Sequence, residues 1–319
     1  MGVNTGYVTD GSPNEQYIEF YERRSSPLLH CGIVGNVVIP GGIGSNASTA
    51  IISDNPVWGA LARSISGKGT IPGIQLTTAW EGYVGARSFR SKWPEAAIAE
   101  YREVVANMPS SQIKDQFDQL KRGTDLALSA GFRHIQLHAA HGYMFSLLID
   151  PGIYERSEAV LEKLEAWGKY LKNQGAESSI RISLRTGLSS FDGDERKAFL
   201  DTISALPFTY IDVSSGFYNI DKQLIYPGRP EVIEKRRTET ISLANRHPRR
   251  LFIYSGRALN QPEHNLPPNI HVGLCRDLIA NPDFLNKMDW GCVNAGDCHY
   301  FSRGKPNLTC HQWRLGKKV

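Results

Sequence analysis

Residues 131–143 read GFRHIQLHAAHGY. Gly131 is a natural stop for the helical run before it, because glycine enters the left-handed backbone that ends helices at no steric cost. The apolar stretch 134–137 is too short for a helix and has the length of a buried strand. Side chains alternate along a strand, so Gln136 and His138 share a face. His138, His141 and Tyr143 then arrive at the carboxyl end of that strand, the end that opens toward ligands in parallel α/β proteins. Two imidazoles and a phenol there can hold a carbonyl oxygen and donate a proton. The alternative is that two histidines merely end a buried strand and cap the next helix.

Upstream, residues 111–130 form a helix by spacing. Ile113, Phe117, Leu120, Thr124 and Ala127 fall on one face, with Ser111 as its cap. Earlier still, residues 33–39 and 71–76 are short apolar runs bounded by glycine or proline, as buried strands are. Helices are expected over 13–24 and 54–66. Between the strand ending at Leu76 and the helical turn of the chain at Ser111 lies a long loop carrying Trp80, Arg87, Arg90 and Trp93. Trp80 and Trp93 are there either to line a pocket or as ordinary core or surface residues.

Downstream, strands are expected at 180–184, 210–213, 251–254 and 270–274. Helices follow Ser157, run from a capping box of Asp192 with Glu195, and span 230–245. Short strands alternating with helices mean parallel βαβ units. The expected fold is therefore α/β, a (β/α)8 TIM barrel with a shortened first strand drawn from the opening residues. An open doubly wound sheet is the rival, weakened because no G-x-G-x-x-G follows the first strand. The expected organisation is a barrel domain over 1–290 and a cysteine-containing tail over 291–319 packed on it.

Composition sets further bounds. The 319 residues are 41% hydrophobic and 21% charged with a net charge of +4, ordinary for a globular protein. No basic block is dense enough for a nucleic-acid groove, and no apolar run is long enough to span a membrane. The first residues lack an apolar signal core, so a cytoplasmic location is expected, where the five cysteines would not form a disulfide framework.

The motif His138-Ala139-Ala140-His141-Gly142-Tyr143, behind Ala130-Gly131-Phe132, resembles the signature of the old yellow enzyme family. Other segments resemble that family in the same order along the chain. They are Asn4-Thr5-Gly6-Tyr7, Ile74-Gln75-Leu76, Ile180-Arg181-Ile182-Ser183, Ser255-Gly256-Arg257 and Cys275-Arg276-Asp277 through Pro282. The resemblance implies an FMN-dependent barrel oxidoreductase that reduces an activated C=C bond of a small unsaturated carbonyl substrate with NAD(P)H. It places Asn4 and Thr5 at the flavin edge, Gln75 on the flavin pyrimidine and Arg181 at flavin N1. It gives Ser255, Gly256, Arg257, Cys275 and Arg276 to the phosphate. His138 and His141 would hold the substrate carbonyl, and Tyr143, whose free phenol titrates near ~10, would protonate the α-carbon. Each residue also has a plain structural alternative: Arg181 could pair with Asp212, Gln75 could simply end its strand, and Arg276 could cap the last helix.

The chain also departs from the family. The family's Trp-His-x-Gly-Arg after the glutamine strand is replaced by Thr77-Thr78-Ala79-Trp80-Glu81. The tail carries Cys292, Cys298 and Cys310 and resembles the iron–sulfur tail of one branch, but Ala295 stands where a further cysteine is expected. Four thiolates are the usual ligand set for a 4Fe–4S cluster. Three cysteines with His299 or His311 would instead suit zinc. The remaining alternative is a tail of free thiols. Two other functional readings stay open: a flavin-pocket barrel running an isomerisation or dehydrogenation, and an inactive barrel serving as a binding or assembly component. A homo-oligomer or a partner subunit is compatible with the sequence.

Overall fold

The computed structural model of the chain describes residues 2–260 and 266–315. A short hairpin of Val8–Thr9 (β1) and Ser12–Pro13 (β2) precedes helix α1, Glu15–Glu22, whose first turn is capped by the Asn14 side chain accepting from Tyr17 N. Strand β3 (Cys31–Val38), helix α2 (Val57–Ser66) and strand β4 (Ile71–Thr77) follow. Helices α3 (Pro94–Ala106) and α4 (Ser110–Ser129) lead to β5 (His134–Ala139). Next come α5 (Met144–Leu148), α6 (Ser157–Asn173), β6 (Glu177–Ser183), α7 (Glu195–Ala205) and β7 (Tyr210–Ser214). The chain goes on through α8 (Lys222–Ile225), α9 (Pro230–Arg246), β8 (Leu251–Ser255), β9 (Ile270–Gly273), α10 (Arg276–Ala280) and α11 (His311–Arg314).

Strands β3 to β9 form one seven-stranded sheet in sequence order, the parallel, curled sheet of a TIM-barrel-like fold. Every strand read from an apolar run is present. An eighth strand is not formed among the described residues: residues 2–7 are irregular, and the Asn4 and Thr5 side chains hold a turn by accepting from Gly6 N and Tyr7 N. The helix stop at Gly131 is as expected, with φ 102° and the Phe132 amide bonded back to Ala127 O at 3.1 Å.

Two expectations are corrected. The loop after β4 ends at Trp93, where Pro94 starts helix α3 and buries Ala97, Ile98, Tyr101 and Val105. The capping box at Asp192 does not form. Helix α7 begins after Asp194, and the Asp192 carboxylate instead accepts from Thr186 N, Thr186 Oγ1 and Gly187 N at 2.7, 3.0 and 2.9 Å. A carboxylate takes the nearest set of free donors, and here these belong to the loop after β6.

The chain builds two compact units from separated segments, 1–76, 119–136 and 274–319 in the first, and 77–118 and 137–273 in the second. In the first, Val34, Val37, Trp58, Leu61, Ile65 and Ile74 are buried. Arg24 Nε donates to Leu278 O at 2.8 Å and Trp313 Nε1 to Ile279 O at 2.9 Å, so the described tail is tied into this unit. In the second, β6 to β9 pair in parallel, in a register that sets Arg181 opposite Asp212 and Ser183 opposite Ser214. Positions two apart share a strand face, so these four side chains face the same way. No helix among the described residues is long and apolar enough to cross a membrane.

Candidate active site

The carboxyl ends of β4, β5, β6 and β7 bring a polar cluster together within the second unit. His138 and His141 are buried, and so is Tyr143, which precedes α5 in extended backbone. His141 has a left-handed backbone, φ 66°, unusual for a residue with a side chain. Its amide donates to Ser183 Oγ at 3.0 Å, and its carbonyl accepts from Tyr218 N at 3.0 Å, which together hold this conformation.

The imidazoles meet each other. His138 Nε2 lies 3.1 Å from His141 Nδ1, and His141 Nε2 lies 2.7 Å from Ser214 Oγ. Thr77 Oγ1 is 3.5 Å from His138 Nδ1. Arg181 Nη2 donates to Ser214 Oγ at 3.1 Å, and Arg181 Nη1 donates to Asp212 Oδ2 at 2.7 Å. Burial holds the pKa of His138 well below the ordinary imidazole value, with the Arg181 charge adding to the effect. Burial does the same to His141, with His138, Arg181 and Arg236 adding to it. Both rings are therefore neutral near pH 7, each with a single N–H to donate. The family resemblance implies a substrate-binding role for these histidines; the structure adds that they lie within hydrogen-bonding distance of one another.

Aromatic rings surround Tyr143. Its ring centroid is 4.8 Å from that of His138, 5.4 Å from Tyr83 and 5.7 Å from Tyr218. Trp80 is buried against Tyr83 and Tyr101 at 4.6 and 5.4 Å, whereas Trp93 is exposed. Of the two tryptophans only Trp80 joins the aromatic group. The loop carrying Tyr83 is fastened to residues 217–222. Ala86 N donates to Asn219 Oδ1 at 2.9 Å, Lys222 N to Phe89 O at 2.9 Å, and the Lys222 ammonium to Ala86 O. Burial lowers the Lys222 pKa to about 8.

The other residues singled out from the sequence fall as follows. In the first unit, Gln75 is buried and its Nε2 donates to Gln136 Oε1 at 2.6 Å. Asn4 Nδ2 donates to Thr49 Oγ1 at 3.2 Å. Cys275 precedes α10, and Arg276 is buried, its Nη1 donating to Asn294 Oδ1 at 3.0 Å. The Arg181–Asp212 pair, one of the two alternatives for that arginine, is present in the second unit.

The turn after β8, also in the second unit, bears on whether FMN fits. Ser255 Oγ is buried with no hydrogen-bond partner among the described residues. Gly256 and Arg257 follow with φ 104° and 69°, and a Cβ on Gly256 would meet Arg236 Nη1 at 2.5 Å. An orphaned hydroxyl beside left-handed backbone and a guanidinium fits the chemistry of a phosphate cradle.

The sequence left three alternatives for the tail: a 4Fe–4S cluster, zinc or free thiols. Among the described residues no group of three or more His, Cys, Asp or Glu is arranged to hold a metal ion. Cys292, Cys298 and Cys310 form no disulfide among the described residues. Position 295 supplies no sulfur, and Cys292 Sγ accepts from Asn294 N at 3.3 Å. Burial together with neighbouring Cys275, Cys292 and Cys310 pushes the Cys298 thiol up to about 12.

Ser214, Ser183, Thr77 and Arg236 were given no site role from the sequence. The β6–β7 register brings in the two serines, Thr77 ends β4 and Arg236 sits on α9, and none of these placements is visible in residue patterning.

No family model matches the chain. An NADPH dehydrogenase of Bacillus velezensis is 31% identical to it over 159 residues, 47% of this chain and 45% of that protein. The match thus spans under half of the relative's length. Among solved structures, a 2-naphthoyl-CoA reductase in complex with 2-naphthoyl-CoA superposes with a TM-score of 0.73 at 14% identity, covering 98% of this chain and 54% of that one. That likeness is one of fold.

Proposed function

We propose that this chain, a distant homologue of an NADPH dehydrogenase of the old yellow enzyme family, is an FMN-dependent oxidoreductase that reduces the C=C bond of an unsaturated carbonyl compound with NAD(P)H. The observation that carries the reading is the buried trio of His138, His141 and Tyr143, with two neutral imidazoles beside a phenol. Bound FMN would supply hydride transfer between nicotinamide and substrate.

The chain's own residues supply the rest. Ser255, the backbone of Gly256 and Arg257, and Arg236 offer donors for a phosphate. Arg181, fixed by Asp212, keeps a guanidinium beside Ser214. The neutral histidine pair donates a hydrogen bond to the substrate's carbonyl oxygen, where negative charge builds up as the β-carbon is reduced. Tyr143 holds a proton for the α-carbon, and the packed rings of Trp80, Tyr83 and Tyr218 keep water from it.

Two anaerobic half-reactions test the proposal. NADPH should bleach the flavin absorbance of the loaded protein, and a cyclic enone should restore it. Bleaching with no reoxidation by any activated alkene would overturn the ene-reductase assignment.

A further inference from the structure

We propose that Ser214 is a positioning residue that fixes the tautomer of His141 and, through it, of His138, so that the two imidazoles act in series. The expectation from resemblance was two side-by-side donors. The geometry points to a line instead: Arg181, Ser214, His141, His138, Thr77, with separations of 3.1, 2.7, 3.1 and 3.5 Å.

Counting hydrogens gives the line its direction. Arginine only donates, so Ser214 Oγ accepts from Arg181. The serine has one proton, and the adjacent cation favours pointing it away, toward His141 Nε2. That nitrogen is then bare, so His141 carries its proton on Nδ1 and donates it to His138 Nε2. His138 in turn carries its proton on Nδ1, facing Thr77. The reverse direction would aim the His141 N–H at the guanidinium side and leave the Ser214 proton unplaced in a buried site. The bonds within the line are ordinary in length, while the last contact is long. The His138 Nδ1–H is therefore the donor most readily given up to another acceptor oxygen, and His141 serves as the link behind it. Ser183, opposite Ser214 in the strand register, fixes the His141 backbone so that its ring reaches both neighbours.

The tautomer assignment stands on these distances; its catalytic consequence rests on the function proposed above. The test is histidine-selective 15N labelling of the full chain, reading long-range proton–nitrogen correlations. In the unaltered protein we expect Nδ1–H and bare Nε2 on both His138 and His141. A protonated Nε2 on His141, or averaged shifts, overturns the proposal. In folded Ser214→Ala the His141 preference should be lost, and Ser214→Thr should restore it. Retention in Ser214→Ala, or loss in folded Ser214→Thr, counts against the proposal. If Ser214→Ala fails to fold, the unaltered protein and Ser214→Thr still decide. In half-reactions of the FMN-loaded protein, Ser214→Ala should slow alkene reduction about tenfold, the worth of one hydrogen bond. Reduction by the nicotinamide should stay within about twofold. Expected tautomers with no alkene reduction by the unaltered protein would sink the proposed function and leave the serine assignment standing. A tautomer shift with unchanged alkene reduction would remove the catalytic consequence.

Discussion

Arg181 Nη1 donates to Asp212 Oδ2 at 2.7 Å, both side chains buried, on neighbouring strands whose register sets the two residues side by side. The pair keeps a cation in the interior without leaving it uncompensated. It also anchors the guanidinium that bonds Ser214. Removing one partner of such a pair costs more than the pair itself contributes, because the other charge stays buried.

Asp212→Ala should therefore lower the unfolding free energy by about 3–5 kcal/mol. Urea denaturation monitored by tryptophan fluorescence measures this. A change below about 1 kcal/mol, the range of exposed ion pairs, would mean that the pair is solvated in solution.

The histidine pair gives stability a defined pH dependence. Both folded pKa values lie well below the unfolded value of 6.5, so in acid the unfolded chain binds more protons than the folded one. The stability contributed by keeping these rings neutral is complete above about pH 6.5 and is lost as pH falls below it toward the folded values. A double variant, His138→Gln with His141→Gln, should show a shallower loss of denaturation midpoint between about pH 6.5 and 5 than the unaltered protein. Parallel curves would show that the histidines titrate normally.

Tyr143→Phe separates proton donation from the rest of the site. The phenyl ring keeps the packing against His138 and Tyr83 and removes only the hydroxyl. Alkene turnover should fall by about 10²-fold or more, with flavin reduction by NADPH largely preserved. Stopped-flow measurement of each half-reaction checks this, and equal losses in both would argue against the donor role.

The Asn219 side chain fastens the Tyr83 loop by accepting from Ala86 N at 2.9 Å and donating to Val84 O at 3.2 Å. Asn219→Ala should raise amide exchange at Ala86 by on the order of tenfold, the equivalent of one lost hydrogen bond. Hydrogen-exchange mass spectrometry of peptides covering residues 80–93 is the measurement. Unchanged protection there would show that the Lys222 and Phe89 contacts hold the loop without it.

The legible parts of the fold were those whose signal is local. Seven β-branched or apolar runs, each bounded by glycine, proline or a helix, became the seven strands. The helix starting at Pro94 carried its own signal, a proline at the first position with Ile98, Tyr101 and Val105 at helical spacing. That signal was obscured by the tryptophans and arginines just before it. Asp192 matched a capping pattern, yet loop donors outcompeted the helix for its carboxylate. In the site, His138, His141 and Tyr143 were readable because they are neighbours in sequence. Ser214 was not, since it lies 73 residues from His141 and enters only through strand register. The orphaned Ser255 hydroxyl is likewise a property of packing, which residue identity alone does not reveal.

Flavin retention is the most direct measurement. Native mass spectrometry and a visible absorption spectrum of the purified full chain, before and after incubation with FMN, should show one noncovalently bound flavin mononucleotide and absorbance in the blue. A colourless protein that takes up no added FMN would contradict the flavoenzyme assignment.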